Sequence, residues 1–507
     1  MSCTGLCKQQ AACDGGVPTT ITGRVVAGTL PTYGTPDPVP GVLVYVPNGP
    51  LQPFTTGVQC GCPEASGDPL VWTTTAVDGT FTLPNVPVGS NIPIVIQLGR
   101  WRREVEFNVT TPCMSQAVGD IRMPRNHTDG LNNQADIPLT ALSTGSVDAM
   151  ECVLLKMGID EAEFTNDKGT GRVNLFMGNG ADVTGGASPE ANLTGTLAAL
   201  EKYDVVIFPC WGNPVDKPAT DQQNMVEYTS AGGRMFATHY SYTWLYKNNP
   251  FDKTATWDPD TQYNSTTGDI DTSFPRGATF GQWMELVKAA AGTPPSFTIQ
   301  SPRQDFKNPV APSLRYIYSN NNGDYPLHYT FDTPWQGPGG TPSDAGADAG
   351  GGTCGRVIYS DFHVAGNSNG TFPTECTAGA MTAQEKALEY TIWDLSQCLG
   401  SNVPMCTPKT CAQQNIQCGP AGDGCGNVIQ CGSCTSPQTC GGGGTPSHCG
   451  VNEGGICTPA TCASLGFNCG AAGDGCGGLL QCGTCSGTMT CGGGGNANQC
   501  GGGSGSQ

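Results

Sequence analysis

Three side chains of this 507-residue chain sit where a short apolar run ends. They are His239 in GGRMFATHYSYTWL, His363 in CGRVIYSDFHV and Cys210 in DVVIFPCWG. A cysteine beside a histidine suits nucleophilic catalysis, the thiol attacking and the imidazole serving as base. Two histidines suit a metal, and histidines beside aromatic residues suit a small-molecule or sugar-derived ligand. The chain holds only five histidines, so two at matching positions stand out. Trp211, Tyr240, Ser241 and Asp361 are their neighbours and complete a candidate ligand pocket. Three readings stay open: a structural remnant with inert imidazoles, a ligand or metal pocket, and a catalytic Cys210–His pair. Against the last, Pro209 and Trp211 flank the cysteine, with no glycine before it to make a tight elbow.

These residues need elements to bring them together, and the surrounding periodicity supplies them. DIPLTALST, RVNLFMG, DVVIFPCWG, RMFATH and CGRVIYSDFHV read as strands. SVDAMECVLLKMGI (Ser146 as N-cap, Gly158 at its stop), NLTGTLAALEKY, TDQQNMVEYTSAGG and TAQEKALEYTIWDLSQC read as helices between and after them. Strands alternating with helices predict a parallel, doubly wound α/β sheet of the flavodoxin-like class over 136–398. Ligands of such sheets bind at the C-terminal strand ends. If the strands ending at Cys210, His239 and His363 are neighbours, at ~4.8 Å each, the three residues converge. Residues 247–352 break the rhythm as an insertion. They contain a helix, GATFGQWMELVKAAAG, and further strands carrying His328 that would cap the pocket edge. Asp258-x-Asp260 and Asp269-x-Asp271 lack an ordered calcium loop and read as solvated, and 337–352 is a low-complexity loop. The sequence implies no cofactor and assigns no metal, with a metal held by His239 and His363 left open as part of the pocket reading.

YTSAGGRMFATHYSYTWL, GRVIYSDFHV and YDVVIFPCWG resemble the strands and turn of ThuA-like proteins in the class I glutamine amidotransferase-like superfamily. In catalytic amidotransferases the turn presents a cysteine nucleophile. His239 holds that place here, which argues against glutamine hydrolysis and implies a catalytically degenerate domain.

Ahead of it, residues 19–122 alternate as strands and predict an antiparallel sandwich of about seven, with Asp78-Gly79 as a hairpin turn. ITGRVV, VPGVLVYVPN, TTAVDGTFTLPNVPVG and IPIVIQLG resemble a carboxypeptidase regulatory-like, transthyretin-like domain. The resemblance implies a non-catalytic, carbohydrate-binding-like module. Trp101 and Arg102 offer a sugar-stacking face or, alternatively, packing on the sheet. A sandwich of this size is expected to fold alone.

The strongest internal pattern is a repeat. Cys406, Cys411, Cys418, Cys425, Cys431, Cys434, Cys440 and Cys449 recur with unchanged spacing as Cys457, Cys462, Cys469, Cys476, Cys482, Cys485, Cys491 and Cys500. Each unit, 406–449 and 457–500, has too few apolar residues for a core, so four disulfides are expected in each. Zinc and redox chemistry are the alternatives for Cys431-x-x-Cys434 and Cys482-x-x-Cys485, but no βαβ context surrounds them. Cys3, Cys7, Cys13, Cys60, Cys62 and Cys113 would form three bridges tying the arm 1–18 and the 50–70 loop to the sandwich. Cys152 with Cys398, and Cys354 with Cys376, would pair in the α/β region, leaving Cys210 odd.

With 27 cysteines the chain belongs in an oxidising compartment, secreted or at the cell surface. No apolar leader opens it, so the expectation is a removed signal or a start other than the native one. A net charge of −19 excludes nucleic-acid backbones, and no apolar run is long enough to span a membrane. The sequence therefore points to a multidomain binding protein, with carbohydrate or a surface polymer as partner. A hydrolase using the His/Cys cluster and a purely structural surface protein are the alternatives.

Overall fold

The computed structural model describes residues 5–11, 13, 17–61, 63–259, 262–321, 324–338, 353–364, 370–397, 410–412, 414–422, 428–451, 457–483, 485, 489–491 and 498–502. They are mostly β-sheet with few helices. Cys3, Cys62, Cys398, Cys406, Cys425, Asp260 and the 339–352 loop lie outside them.

The N-terminal strands are β1 (Thr20–Val26), β2 (Leu43–Pro47), β3 (Pro69–Thr74), β4 (Thr80–Pro84), β5 (Gly89–Leu98), β6 (Trp101–Val109), β7 (Ser115–Arg122) and β8 (Ala135–Asp136). They form a three-stranded sheet, β4-β1-β7, and a five-stranded sheet, β3-β2-β5-β6-β8. Two details differ from the sequence reading. The β1–β7 pair is parallel. Asp78-Gly79 does make a tight turn, its carboxylate taking the Thr80 N–H and Gly79 at φ +74°. But β3 pairs with β2 and β4 with β1, so the turn carries the chain from one sheet to the other and closes no hairpin.

The following strands are β9 (Thr140–Thr144), β10 (Phe164–Thr165), β11 (Val173–Met177), β12 (Ser188–Pro189), β13 (Val205–Phe208), β14 (Arg234–Thr238), β15 (Ala255–Trp257), β16 (Ser265–Ile270), β17 (Ser296–Gln300), β18 (Phe306–Pro309), β19 (Leu314–Ser319), β20 (Tyr325–Thr333) and β21 (Gly355–Ser360). An 11-stranded sheet runs β10-β11-β9-β13-β14-β21-β20-β19-β16-β17, with β12 on β11. It is parallel from β10 to β21. The insertion extends it antiparallel through β20, β19, β16 and β17. His328 faces Ser360 across β20–β21 and bonds its hydroxyl, so it lies inside the sheet and caps no pocket edge.

The helices are α1 (Met150–Lys156), α2 (Glu190–Thr194), α3 (Leu197–Leu200), α4 (Ala219–Ser230), α5 (Pro275–Leu286) and α6 (Ala383–Ser396). Thr382 and Glu385 close α6 with a reciprocal capping box. Ser146 does not cap α1; Ala149 occupies that place, and the Ser146 hydroxyl bonds the Trp211 carbonyl. Side chains alternate strictly across the central strands. Val205, Ile207, Phe236 and Ile358 join one core with α1, α5 and α6, while Val206, Phe208, Met235, Val357 and Tyr359 join a second core.

The first core also contains the sandwich interior. Trp101 stacks edge-on against Trp393 of α6 at 5.1 Å, and Trp283 of α5 donates to the Pro38 carbonyl at 2.7 Å. Lys386 binds both Asp37 oxygens. Cys60 is bonded to Cys354, which ties the 50–70 loop to the start of β21. This corrects the expected Cys354–Cys376 and Cys152–Cys398 pairs and the place of Cys60 among three N-terminal bridges: Cys60 leaves that set for Cys354, and Cys376 pairs with Cys152 of α1. Cys13 pairs with Cys113, as a bridge from arm to sandwich requires.

In the repeats the pairs are Cys411–Cys431, Cys418–Cys440 and Cys434–Cys449, then Cys457–Cys476, Cys462–Cys482, Cys469–Cys491 and Cys485–Cys500. Neither CxxC pairs internally, so these are crosslinks and not a redox motif. No helix among the described residues is long and apolar enough to cross a membrane.

Candidate functional site

β13, β14 and β21 are adjacent and parallel, so their C-terminal ends deliver Cys210, His239 and His363 to one place. One potential metal-ligating atom from each lies within 4.8 Å of the others. Cys210 Sγ is 3.1 Å from His239 Nδ1, and the two imidazoles meet edge to face at 4.6 Å. The cluster is buried: Cys210 is 0%, His239 1% and His363 8% exposed.

Asp148 holds the three strand ends in register. Its carboxylate accepts the Cys210 N–H at 3.1 Å, the Val364 N–H at 3.0 Å and the Thr238 hydroxyl. Each donor is itself one of the three cluster residues or directly next to one. Asp148 follows β9, and Cys210 follows β13, where strand order reverses between β11-β9 and β13-β14. That is the place where open α/β sheets leave a crevice. Burial raises the Asp148 pKa, the nearby His363 pulling it back in part.

His239 occupies the turn after β14 at φ +50°, in the left-handed region that a non-glycine residue enters at a cost of ~1–3 kcal/mol. Its carbonyl is gripped in return by the Tyr359 hydroxyl at 2.7 Å. Tyr359 also lies 2.6 Å from Asp361 Oδ1, and the Asp305 N–H donates to Asp361 Oδ2 at 2.9 Å. Burial and the Asp305 charge push the Asp361 pKa well up, while the hydrogen bonds that the Tyr359 hydroxyl and the Asp305 N–H donate to it pull the other way.

The thiol and the imidazole are both held neutral. Burial, then the Asp148 charge, pushes the Cys210 thiol up to about 12, against the opposing pull of the Gly212 and Tyr240 N–H groups on its sulfur. Burial, then His363 and Arg303, holds His239 well below the usual histidine range. A neutral thiol at this depth is a poor nucleophile.

The other predicted residues surround this cluster. Tyr240 is half-buried beneath the Arg303 guanidinium at 4.3 Å, and Arg303 forks onto Asp305. Trp211 is half-buried under Lys217 Nζ at 4.1 Å, with Lys217 held by Glu190. Ser241 donates to the Pro209 carbonyl, and Asp361 is fully buried behind Tyr359. Asp148, Thr238, Tyr359, Arg303 and Asp305 escaped the sequence reading. Asp148 lay in a stretch read as helix, and the insertion hid Arg303 and Asp305. The Asp pairs considered for calcium are engaged elsewhere: Asp258 by Lys307, Asp269 by Asn320 and Asp271 by Arg315.

Two open clefts lie on the sandwich side of the molecule. One, of about 380 Å³, is lined by Gln52, Phe54, Glu64, Ser66 and Arg102. Its neighbour, of about 460 Å³, shares Pro53 and Arg102 and adds Glu104, Asn132, Gln134 and Asp136. Arg102 is fixed by Asp136 at 2.8 Å and Ser66 at 3.0 Å, and it stacks on Phe54 at 4.0 Å. Trp101 is packed into the α6 boundary, the packing role expected for it over a sugar-stacking one.

No protein-family model matches the chain, and no curated protein does. Among solved structures it is similar to a putative ThuA-like protein from Bacteroides uniformis, at 11% identity over 50% of this chain and 89% of that one, TM-score 0.26. The mmIFT52 N-terminal domain is similar at 8% identity over 46% and 87%, TM-score 0.27. A chain of a type II cohesin–X-dockerin complex from Acetivibrio cellulolyticus is similar at 17% identity over 28% and 85%, TM-score 0.16.

Proposed function

We propose that this is a secreted or cell-surface binding protein that holds a neutral carbohydrate or surface polymer in the paired sandwich clefts. The sandwich acts as a carboxypeptidase regulatory-like, carbohydrate-binding-like module. The α/β region is a flavodoxin-like, ThuA-like domain that has lost amidotransferase chemistry, and the cysteine-rich units are crosslinked accessory modules.

The observation that carries this reading is the pair of adjoining clefts. Their volumes of about 380 and 460 Å³ lie in the ~300–1,000 Å³ range of ligand sites. Amides and carboxylates line them, and these are the groups that bond sugar hydroxyls in pairs. The Phe54–Arg102 stack supplies a flat surface for a pyranose face. The chain's −19 charge disfavours polyanions. The buried, neutral Cys210 argues against the hydrolase alternative.

Calorimetric titration of the full chain with neutral oligosaccharides tests this. Binding is expected, with Phe54→Ala lowering affinity about tenfold or more at an unchanged melting temperature. Absence of binding across neutral glycans, or binding indifferent to Phe54→Ala, overturns the assignment.

A further inference from the structure

We propose that Cys210, His239 and His363 bind one thiolate- and imidazole-preferring transition-metal cation, of the zinc or copper class. The sequence left a metal through His239 and His363 open within one reading and assigned none, and Cys210 and His239 alone are 29 positions apart. The sheet supplies the proximity.

The ligand set comes first. One soft sulfur and two imidazoles suit Zn²⁺ and copper and do not suit Ca²⁺ or Mg²⁺, which take oxygen. Bonds of about 2.0–2.3 Å to zinc place ligand atoms roughly 3.3–3.8 Å apart. The three atoms here lie within 4.8 Å of one another, so a modest inward movement closes the site.

The surroundings are those of a metal site. His363 Nδ1 lies 2.5 Å from the Val364 carbonyl. That bond places the proton on Nδ1 and leaves Nε2 with its lone pair, the usual outer-shell arrangement of a ligating histidine. Two backbone N–H groups, of Gly212 (3.3 Å) and Tyr240, point at Cys210 Sγ and are placed to receive the charge of a thiolate. Asp148 binds the backbone of Cys210 and Val364 and the Thr238 side chain, so one carboxylate fixes all three ligand-bearing ends.

The orientation of His239 agrees. It is 1% exposed and turns Nδ1 toward Cys210 Sγ at 3.1 Å, which makes Nδ1 its ligating nitrogen, and the Ser301 backbone hydrogen-bonds the ring. Cys210 is the free cysteine among the described residues, kept out of the disulfides in a chain with an odd number of cysteines. The binding step balances simply. The Cys210 S–H bond breaks, a sulfur–metal bond forms, and the proton leaves to solvent.

The test is titration of the full, oxidised chain, stripped with chelator, with Co²⁺ as the zinc probe and with copper separately. One equivalent should bind with a thiolate-to-metal charge-transfer band, and about one proton should be released per cation in weakly buffered solution at pH 7. The cation giving the tighter complex distinguishes the two classes. Cys210→Ser and His363→Gln should each weaken binding about a hundredfold or more, while His127→Gln, at a distant exposed histidine, leaves it unchanged. Uptake without a charge-transfer band or without proton release overturns the proposal, even if the variants fail to fold. So does uptake that Cys210→Ser leaves intact.

Discussion

The Cys210 N–H donates to Asp148 Oδ2 at 3.1 Å across the gap between the ends of β9 and β13. With the Val364 N–H and the Thr238 hydroxyl on the same carboxylate, three strand ends share one buried acceptor. Asp148→Asn keeps one oxygen and turns an N–H₂ toward a donor. It should cost about 1–3 kcal/mol, the penalty of a buried donor left unsatisfied. Thermal melts of the two proteins check this, and an unchanged melting temperature would mean that the carboxylate holds nothing.

His328 sets a pH dependence. Buried between Tyr316, Phe362 and Ser360, its pKa falls to about 3, burial outweighing the pull of Asp394. An unfolded histidine takes up its proton near pH 6.5. Between those values the unfolded chain binds more protons, so this residue's contribution to stability is present above pH ~6.5 and is lost as pH falls toward 3. Wild type should therefore lose stability on acidification faster than His328→Gln. Denaturant midpoints for both proteins at pH 7 and pH 4.5 measure the difference, and parallel changes would contradict the assignment.

The sandwich and the α/β region share a core, and this bears on whether 19–122 folds alone. Trp101→Ala removes a ring stacked on Trp393 and should cost about 3–5 kcal/mol in the full chain. An isolated 19–122 fragment, with Trp101 freed from the α6 boundary, should melt well below the full chain. If fragment and full chain melt together, the boundary is a contact of little consequence.

Disulfide mapping of the repeats should recover Cys457–Cys476, Cys462–Cys482, Cys469–Cys491 and Cys485–Cys500. Peptides joined as Cys482–Cys485 would restore the redox reading. Reduction should unfold these units, since few apolar side chains remain to hold them.

The sequence by itself determined the local elements and the kind of crosslinking. Apolar runs bounded by glycine and proline marked β9, β11, β13, β14 and β21, because strand periodicity is a property of neighbouring residues. The duplicated eight-cysteine spacing marked the C-terminal units for the same reason. It also placed Cys210, His239 and His363 at strand ends, and adjacency of those strands was the one condition needed to join them. What it did not contain was long-range choice. Which of 105 connectivities an eight-cysteine unit takes depends on how its turns bring sulfurs together. Cys60 reaches Cys354 because the 50–70 loop lies against the N-terminal ends of the central strands, where the Val58 N–H donates to the Glu201 carbonyl. Asp78-Gly79 carries hairpin chemistry, yet β3 and β4 separate because each finds a better partner in its own sheet. Asp148 became a clamp for three distant strand ends only once the sheet had ordered β9 beside β13. Burial decided the state of the cluster as well. Nothing in the residues around Cys210 fixes its exposure, and it is the desolvation imposed by the folded core that holds its thiol neutral.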